Sequence, residues 1–139
     1  MLRYMHALFG WVMGASILLI MLSTYVFTVY RVDGESMLPT FTNGKLLPVL
    51  IVPGQTFRVN DVVVLEYVGE RSVKFVKRIT AVPGDSVIFE GKSLTLEKDQ
   101  FFVEGDNRDF STDSRTYGPV SREQFIGKVI WKHTSYPGS

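Results

Sequence analysis

The run SVKFVKRITA, Ser72 to Ala81, is rich in β-branched residues and alternates side-chain character along its middle, as a strand with one face on a core does. A period of two puts Val73, Phe75, Lys77 and Ile79 on one face and Lys74 and Arg78 on the other. Lys77 therefore stands among apolar neighbours. Working outward, residues 61–68, 86–90, 93–97, 100–104 and 125–132 have the same strand character. The breaks between them have turn chemistry: VGER at 68–71, PGD at 83–85 and EGK at 90–92. The segments flanking Gly91 read as a β-hairpin. The run LLPVLIV, residues 46–52, is too short to span a bilayer and contains Pro48; it reads as a buried strand, with an apolar surface resting on a membrane as the alternative. These segments predict a mostly β domain of antiparallel, coiled sheets.

Residues 7–30 form a run of 24 without Asp, Glu, Lys or Arg. As a helix it would extend roughly 36 Å, against about 30 Å of bilayer hydrocarbon. Trp11, Tyr25 and Tyr30 sit where interfacial aromatics belong. Arg3 precedes the run and Arg31, Asp33 and Glu35 follow it, a bias that predicts a cytoplasmic N-terminus and an external remainder. A cleaved secretory signal would have a shorter apolar core and a small-x-small exit; this run ends in YVFTVY, so the expectation is a retained, single-pass anchor in the cell membrane. The chain thus divides into a cytoplasmic start and anchor, 1–30, and an extracellular β domain, 31–139. The latter carries 14 basic and 14 acidic side chains and all six prolines. That neutral balance argues against a nucleic-acid partner, and the lack of cysteine excludes disulfides and thiolate metal sites.

Among hydrolytic chemistries, a serine nucleophile needs a base, usually a histidine. Here His6 precedes the anchor and His133 lies in the terminal tail, which leaves a Ser-His arrangement and a zinc site both poorly supplied. DNRDFSTDSRTYG, 106–118, looks like a calcium loop but has Arg108 at its third position, Ser111 where glycine is needed and Tyr117 at its twelfth. No metal or other cofactor is expected. A serine paired with a lysine base remains. Such an amine must be neutral, and lowering it from about 10.4 to near 7 costs on the order of 4 kcal/mol, which desolvation among apolar side chains supplies. Lys77 has the surroundings for this, whereas Lys45, Lys92 and Lys98 lie at turns. On pattern alone, a solvated strand lysine is the competing reading.

Several motifs occur in one order: Gly34-Glu-Ser36-Met37-Leu-Pro39-Thr40 after the anchor, Asn60-Asp61 with VVV, Val76-Lys77-Arg78, Pro83-Gly84-Asp85, then Gly105-Asp106-Asn107-Arg108-Asp109-Phe-Ser111-Thr-Asp113-Ser114-Arg115 with Gly118. In this order and behind an anchor, the sequence resembles the bacterial type I signal peptidases, of the short Gram-positive kind, which share a coiled antiparallel β-sheet fold with LexA-like proteins. The resemblance implies that Ser36 is the nucleophile and Lys77 the general base. It implies that Ser111 hydrogen-bonds the lysine amine and that Asp113 pairs with Arg115 and Arg78 to hold the loop. The Ser36 backbone amide is the first candidate for an oxyanion donor, while Gly34 occupies the position where some members place a second donor, a serine hydroxyl. Val32, Met37, Val64, Phe75 and Val76 are expected to wall the substrate pockets, with core packing as the alternative for each. The implied partners are preprotein signal peptides with small residues before the cut, bound as an added strand, and membrane lipid. Gly105 follows Lys77 by only 28 positions, so a trimmed catalytic domain with a single hairpin is expected. A catalytically silent relative, binding in pilus assembly or secretion, is the alternative function.

Overall fold

The computed structural model of the chain describes residues 2–68 and 72–131. His133, the last residues of the tail and most of the VGER turn lie outside them. Helix α1, Leu2–Val26, contains the span Tyr4–Met21, long and apolar enough to cross a membrane, and none of that span is buried in protein.

The helix stops short of Tyr30. Phe27–Arg31 is strand β1, paired antiparallel with β2, Leu46–Leu50, from Phe27↔Leu50 to Arg31↔Leu46. Aromatic and β-branched residues favour a half-buried pleated surface, and a ready partner strand settles the competition against helix. Along β2, Leu47 and Val49 are buried while Leu46 is 63% exposed. The reading of residues 46–52 as a strand with buried side chains holds for Leu47 and Val49, while Leu46 turns outward on the same face as Phe27 and Val29.

Strands β3 (Val62–Val68), β4 (Ser72–Ala81), β7 (Gln100–Glu104), β8 (Val120–Ser121) and β9 (Phe125–Val129) complete a seven-stranded sheet ordered β1-β2-β9-β3-β4-β7-β8 among the described residues, with every pairing antiparallel. Between β4 and β7 lies one separate hairpin, β5 (Ser86–Phe89) with β6 (Lys92–Thr95). Its two-residue turn has Glu90 at φ 50 and Gly91 at φ 73, the doubly left-handed backbone that matches strand twist.

The central strand explains its own sequence. In VVVLEYV, Val62 and Val64 enter one core cluster with Val32, Met37, Leu47 and Val76, whereas Val63 and Leu65 enter another with Ile79, Phe101, Val103 and Phe125. A strand covered on both faces reads as a continuous apolar run rather than an alternating one. Strand β4 crosses the same two layers, with Val76 in the first and Ile79 in the second. Its covered part begins at Val76; Val73 and Phe75 are 45% and 39% exposed.

Candidate active site

Lys77 is opposite Val63 in the β3–β4 ladder and is only 3% exposed. Burial is the main cause that lowers its pKa from the ordinary lysine value; nearby Asp113 opposes the shift and Arg115 adds to it. Its amine donates to Ser111 Oγ at 2.8 Å.

The direction of that bond is set one step further on. Ser111 Oγ donates its single proton to Asp113 Oδ2 at 2.7 Å, so toward Lys77 it can only accept. Asp113 is fully buried. Burial alone would raise its pKa, but the Arg115 side chain, the Gly105 amide and the Ser111 hydroxyl outweigh it and hold the carboxyl at about 2. Asp113 Oδ1 accepts from Arg115 Nε at 2.9 Å and from the Arg115 amide, while Oδ2 accepts from Arg115 Nη2 and the Gly105 amide, each at 2.9 Å. The residue also caps the short helix α2, Ser114–Tyr117. The ionised Asp113 carboxylate thus orients Ser111, and Ser111 in turn orients the Lys77 amine.

Ser36 sits in the turn between β1 and β2, half-buried, between Val32 and Met37, which are sunk in the core. Its carbonyl accepts from the Asn107 amide at 2.9 Å, and the Glu35 carbonyl accepts from Asn107 Nδ2 at 3.1 Å. The loop that carries Ser111 and Asp113 is thereby stitched to the serine turn. Gly105 makes that approach possible: a Cβ there would lie 2.3 Å from Ser111 Oγ and 2.6 Å from the Ser36 carbonyl oxygen. Only a hydrogen fits between them. Among the described residues, Ser36 Oγ has no hydrogen-bond partner.

One expectation needs correction. Among the described residues, Arg78 is paired with Asp106 rather than with Asp113. It grips Asp106 with two hydrogen bonds of 2.7 Å, Nε to Oδ1 and Nη2 to Oδ2, and Nη1 reaches the Asn60 carbonyl at 3.0 Å, tying the loop's start to the turn before β3. The donors on Asp113 come from Gly105, Ser111 and Arg115 instead, which leaves Arg78 the carboxylate seven residues earlier, just past the end of β7. Gly34, at φ +87, uses its amide on Asn43 Oδ1 at 3.2 Å, so that amide is committed elsewhere; the glycine is needed for its left-handed backbone.

Of the expected pocket residues, Val32, Met37, Val64 and Val76 are packed in one core cluster, and Phe75 alone opens to the surface. Phe75 lines a cleft of about 460 Å³ with Leu65, Tyr67, Thr112, Tyr117 and Val120. Sequence reasoning passed over Tyr117, whose hydroxyl is pushed up to about 12 by burial and by Asp113, and Ser114, whose buried Oγ accepts from the Val103 amide at 3.0 Å. The helical turn that starts at Ser114 was the available signal, since an Asp-Ser pair favours an N-terminal cap.

The family model described as "Signal peptidase, peptidase S26" matches residues 5–98 and 90–134. Signal peptidase IB of Staphylococcus aureus strain COL is 26% identical over 159 aligned positions, covering 85% of this chain and 83% of that protein. Mitochondrial inner membrane protease subunit 1 of Schizosaccharomyces pombe is 34% identical over 120 positions, 78% of this chain and 76% of that protein. With the family model spanning both the serine turn and the loop that meets it, the chain belongs to the signal peptidase family, peptidase S26.

Proposed function

We propose that the chain is a membrane-anchored serine endopeptidase that removes signal peptides from exported preproteins with Ser36 as nucleophile and Lys77 as general base. The observation that supports it most is the buried Lys77 amine, 3% exposed and held by a hydroxyl whose own proton is committed to an ionised carboxylate. A neutral amine so placed takes the Ser36 Oγ proton as oxygen attacks the carbonyl before the cut. The Ser36 amide stabilises the oxyanion. Collapse of the tetrahedral intermediate breaks the peptide bond, and the Lys77 ammonium returns its proton to the departing amine. Water then attacks the acyl-enzyme ester, again losing a proton to Lys77, and Ser36 is restored.

Substrate with small residues at the first and third positions before the cut lies extended near β4, with Val32, Met37, Val64 and Val76 supplying the floor beneath it and Phe75 a wall. Helix α1 spans the bilayer with the N-terminus cytoplasmic, which leaves the β domain on the outer face, where a signal peptide's cleavage site emerges. The outward side chains Phe27, Val29 and Leu46, on the strand pair that follows α1, favour contact with lipid.

Cleavage of a secretory preprotein by wild type, Ser36→Ala and Lys77→Ala tests the reading. Both folded variants are expected to lose turnover; wild-type turnover in either one rejects the pair. Inactivity of the wild type on several secretory and pilin precursors would favour a binding role.

A further inference from the structure

The stitching of the serine turn by one side chain assigns a role to a residue outside the Ser36–Lys77–Ser111 set. A trans peptide points its C=O and the next residue's N–H in opposite directions. The carbonyl of Glu35 and the amide of Ser36 belong to one such plane, so whatever holds the first aims the second. Asn107 Nδ2 donates to Glu35 O at 3.1 Å, and the Asn107 amide donates to Ser36 O at 2.9 Å. One residue therefore pins the peptide planes on both sides of the Ser36 Cα. Among the described residues the Ser36 amide has no acceptor, as an oxyanion donor waiting for charge should not.

We propose that Asn107 is a positioning residue that aims the Ser36 N–H into the oxyanion hole. Glu35 O also accepts from Leu38 N at 3.1 Å, but that bond lies within the turn and moves with it. Asn107 instead belongs to the loop that carries Ser111 and Asp113, so it fixes the donor relative to the base. The Gly34 amide is occupied by Asn43, which leaves the Ser36 amide the more dependent on correct aim. The inference rests on the proposed Ser36–Lys77 chemistry.

The test uses the full chain in detergent micelles with a preprotein substrate, comparing wild type, Ser36→Ala, Asn107→Ala and the isosteric Asn107→Asp, which cannot donate to Glu35 O. Ser36→Ala reports on the underlying chemistry, so its full activity sinks that reading and this inference with it. With Ser36→Ala inactive, both Asn107 variants are expected to lose on the order of 10- to 100-fold in kcat, short of the full loss of an oxyanion donor, with KM within about twofold. The ascending limb of the pH profile, set by Lys77, should stay in place. A peptide aldehyde carrying the signal-peptide sequence, which needs the oxyanion hole once Ser36 adds to it, should lose affinity in parallel with kcat, while the cleaved signal peptide should not. Should Asn107→Ala fail to fold, Asn107→Asp carries the same comparison. Wild-type kcat in a folded variant, a loss confined to KM, or equal weakening of aldehyde and cleaved peptide overturns the inference.

Discussion

Replacing Gly105 by alanine puts one methyl group where the two halves of the site meet. The new Cβ would start 2.3 Å from Ser111 Oγ, 2.5 Å from Ser111 Cβ and 2.6 Å from the Ser36 carbonyl oxygen. Carbon and oxygen rest at about 3.3 Å or more, so the Ser36 carbonyl must draw back from the new methyl by about 0.7 Å and Ser111 Oγ by about 1 Å. Neither neighbour yields cheaply. The carbonyl is backbone held by Asn107, and Ser111 is bound on both sides by Lys77 and Asp113. A misplacement of about 1 Å between reacting groups can cost on the order of 100-fold in rate, and overpacking costs roughly 1–3 kcal/mol of stability. The assay is preprotein cleavage by the full chain under single-turnover conditions, with thermal unfolding recorded on the same preparation. Gly105→Ala is expected to fold, melt lower and cut about 100-fold more slowly. The Ser111→Ala/Gly105→Ala pair should lose less than the product of the single losses, because removing Oγ relieves part of the clash. A folded Gly105→Ala variant with wild-type turnover would show that the close approach of Ser36 to Ser111 has no bearing on activity.

Other outcomes follow from the same geometry. The pH profile of kcat/KM should rise with deprotonation of Lys77, with a limb below lysine's ordinary 10.5 because burial disfavours the ammonium; a limb at the ordinary value rejects the dry amine. Asp113, held at about 2 against an unfolded value of 3.8, contributes about 2 kcal/mol that is fully present above pH 3.8 and is lost as pH falls through about 2; Asp113→Asn should remove that part of the acid dependence of unfolding. Arg78→Ala leaves Asp106, whose side chain is 6% exposed, without its bidentate partner and should destabilise by about 3 kcal/mol in denaturant unfolding, with Arg78→Lys a poor substitute. An unchanged midpoint in Arg78→Ala would remove that ion pair from the account of how the loop is held.

The strand pattern was legible because period two is strong in long segments: residues 72–81 and 100–104 match β4 and β7 end to end. The burial of Lys77 was not settled by that alternation, since Val73 and Phe75 on its face are exposed and the covered part of β4 begins only at Val76. Strand β1 was not legible, since 27–31 continues an apolar run and only the β2 ladder decides it against helix. The partner of Arg78 was ambiguous in a loop that offers Asp106, Asp109 and Asp113 within eight positions, where the choice depends on strand register rather than spacing. Gly105 and Asn107 carry no local signal of their roles. The first has no left-handed backbone to demand glycine, and the second acts through two carbonyls some 70 positions away in sequence, at Glu35 and Ser36.

The most direct test of the dry, neutral base is titration of the Lys77 amine itself, followed by nuclear magnetic resonance of the ¹⁵N-lysine-labelled full chain in micelles, with Lys77→Arg to assign the resonance. The account expects one lysine to titrate well below its neighbours and to vanish in the variant. A Lys77 amine that titrates together with the exposed lysines would contradict it.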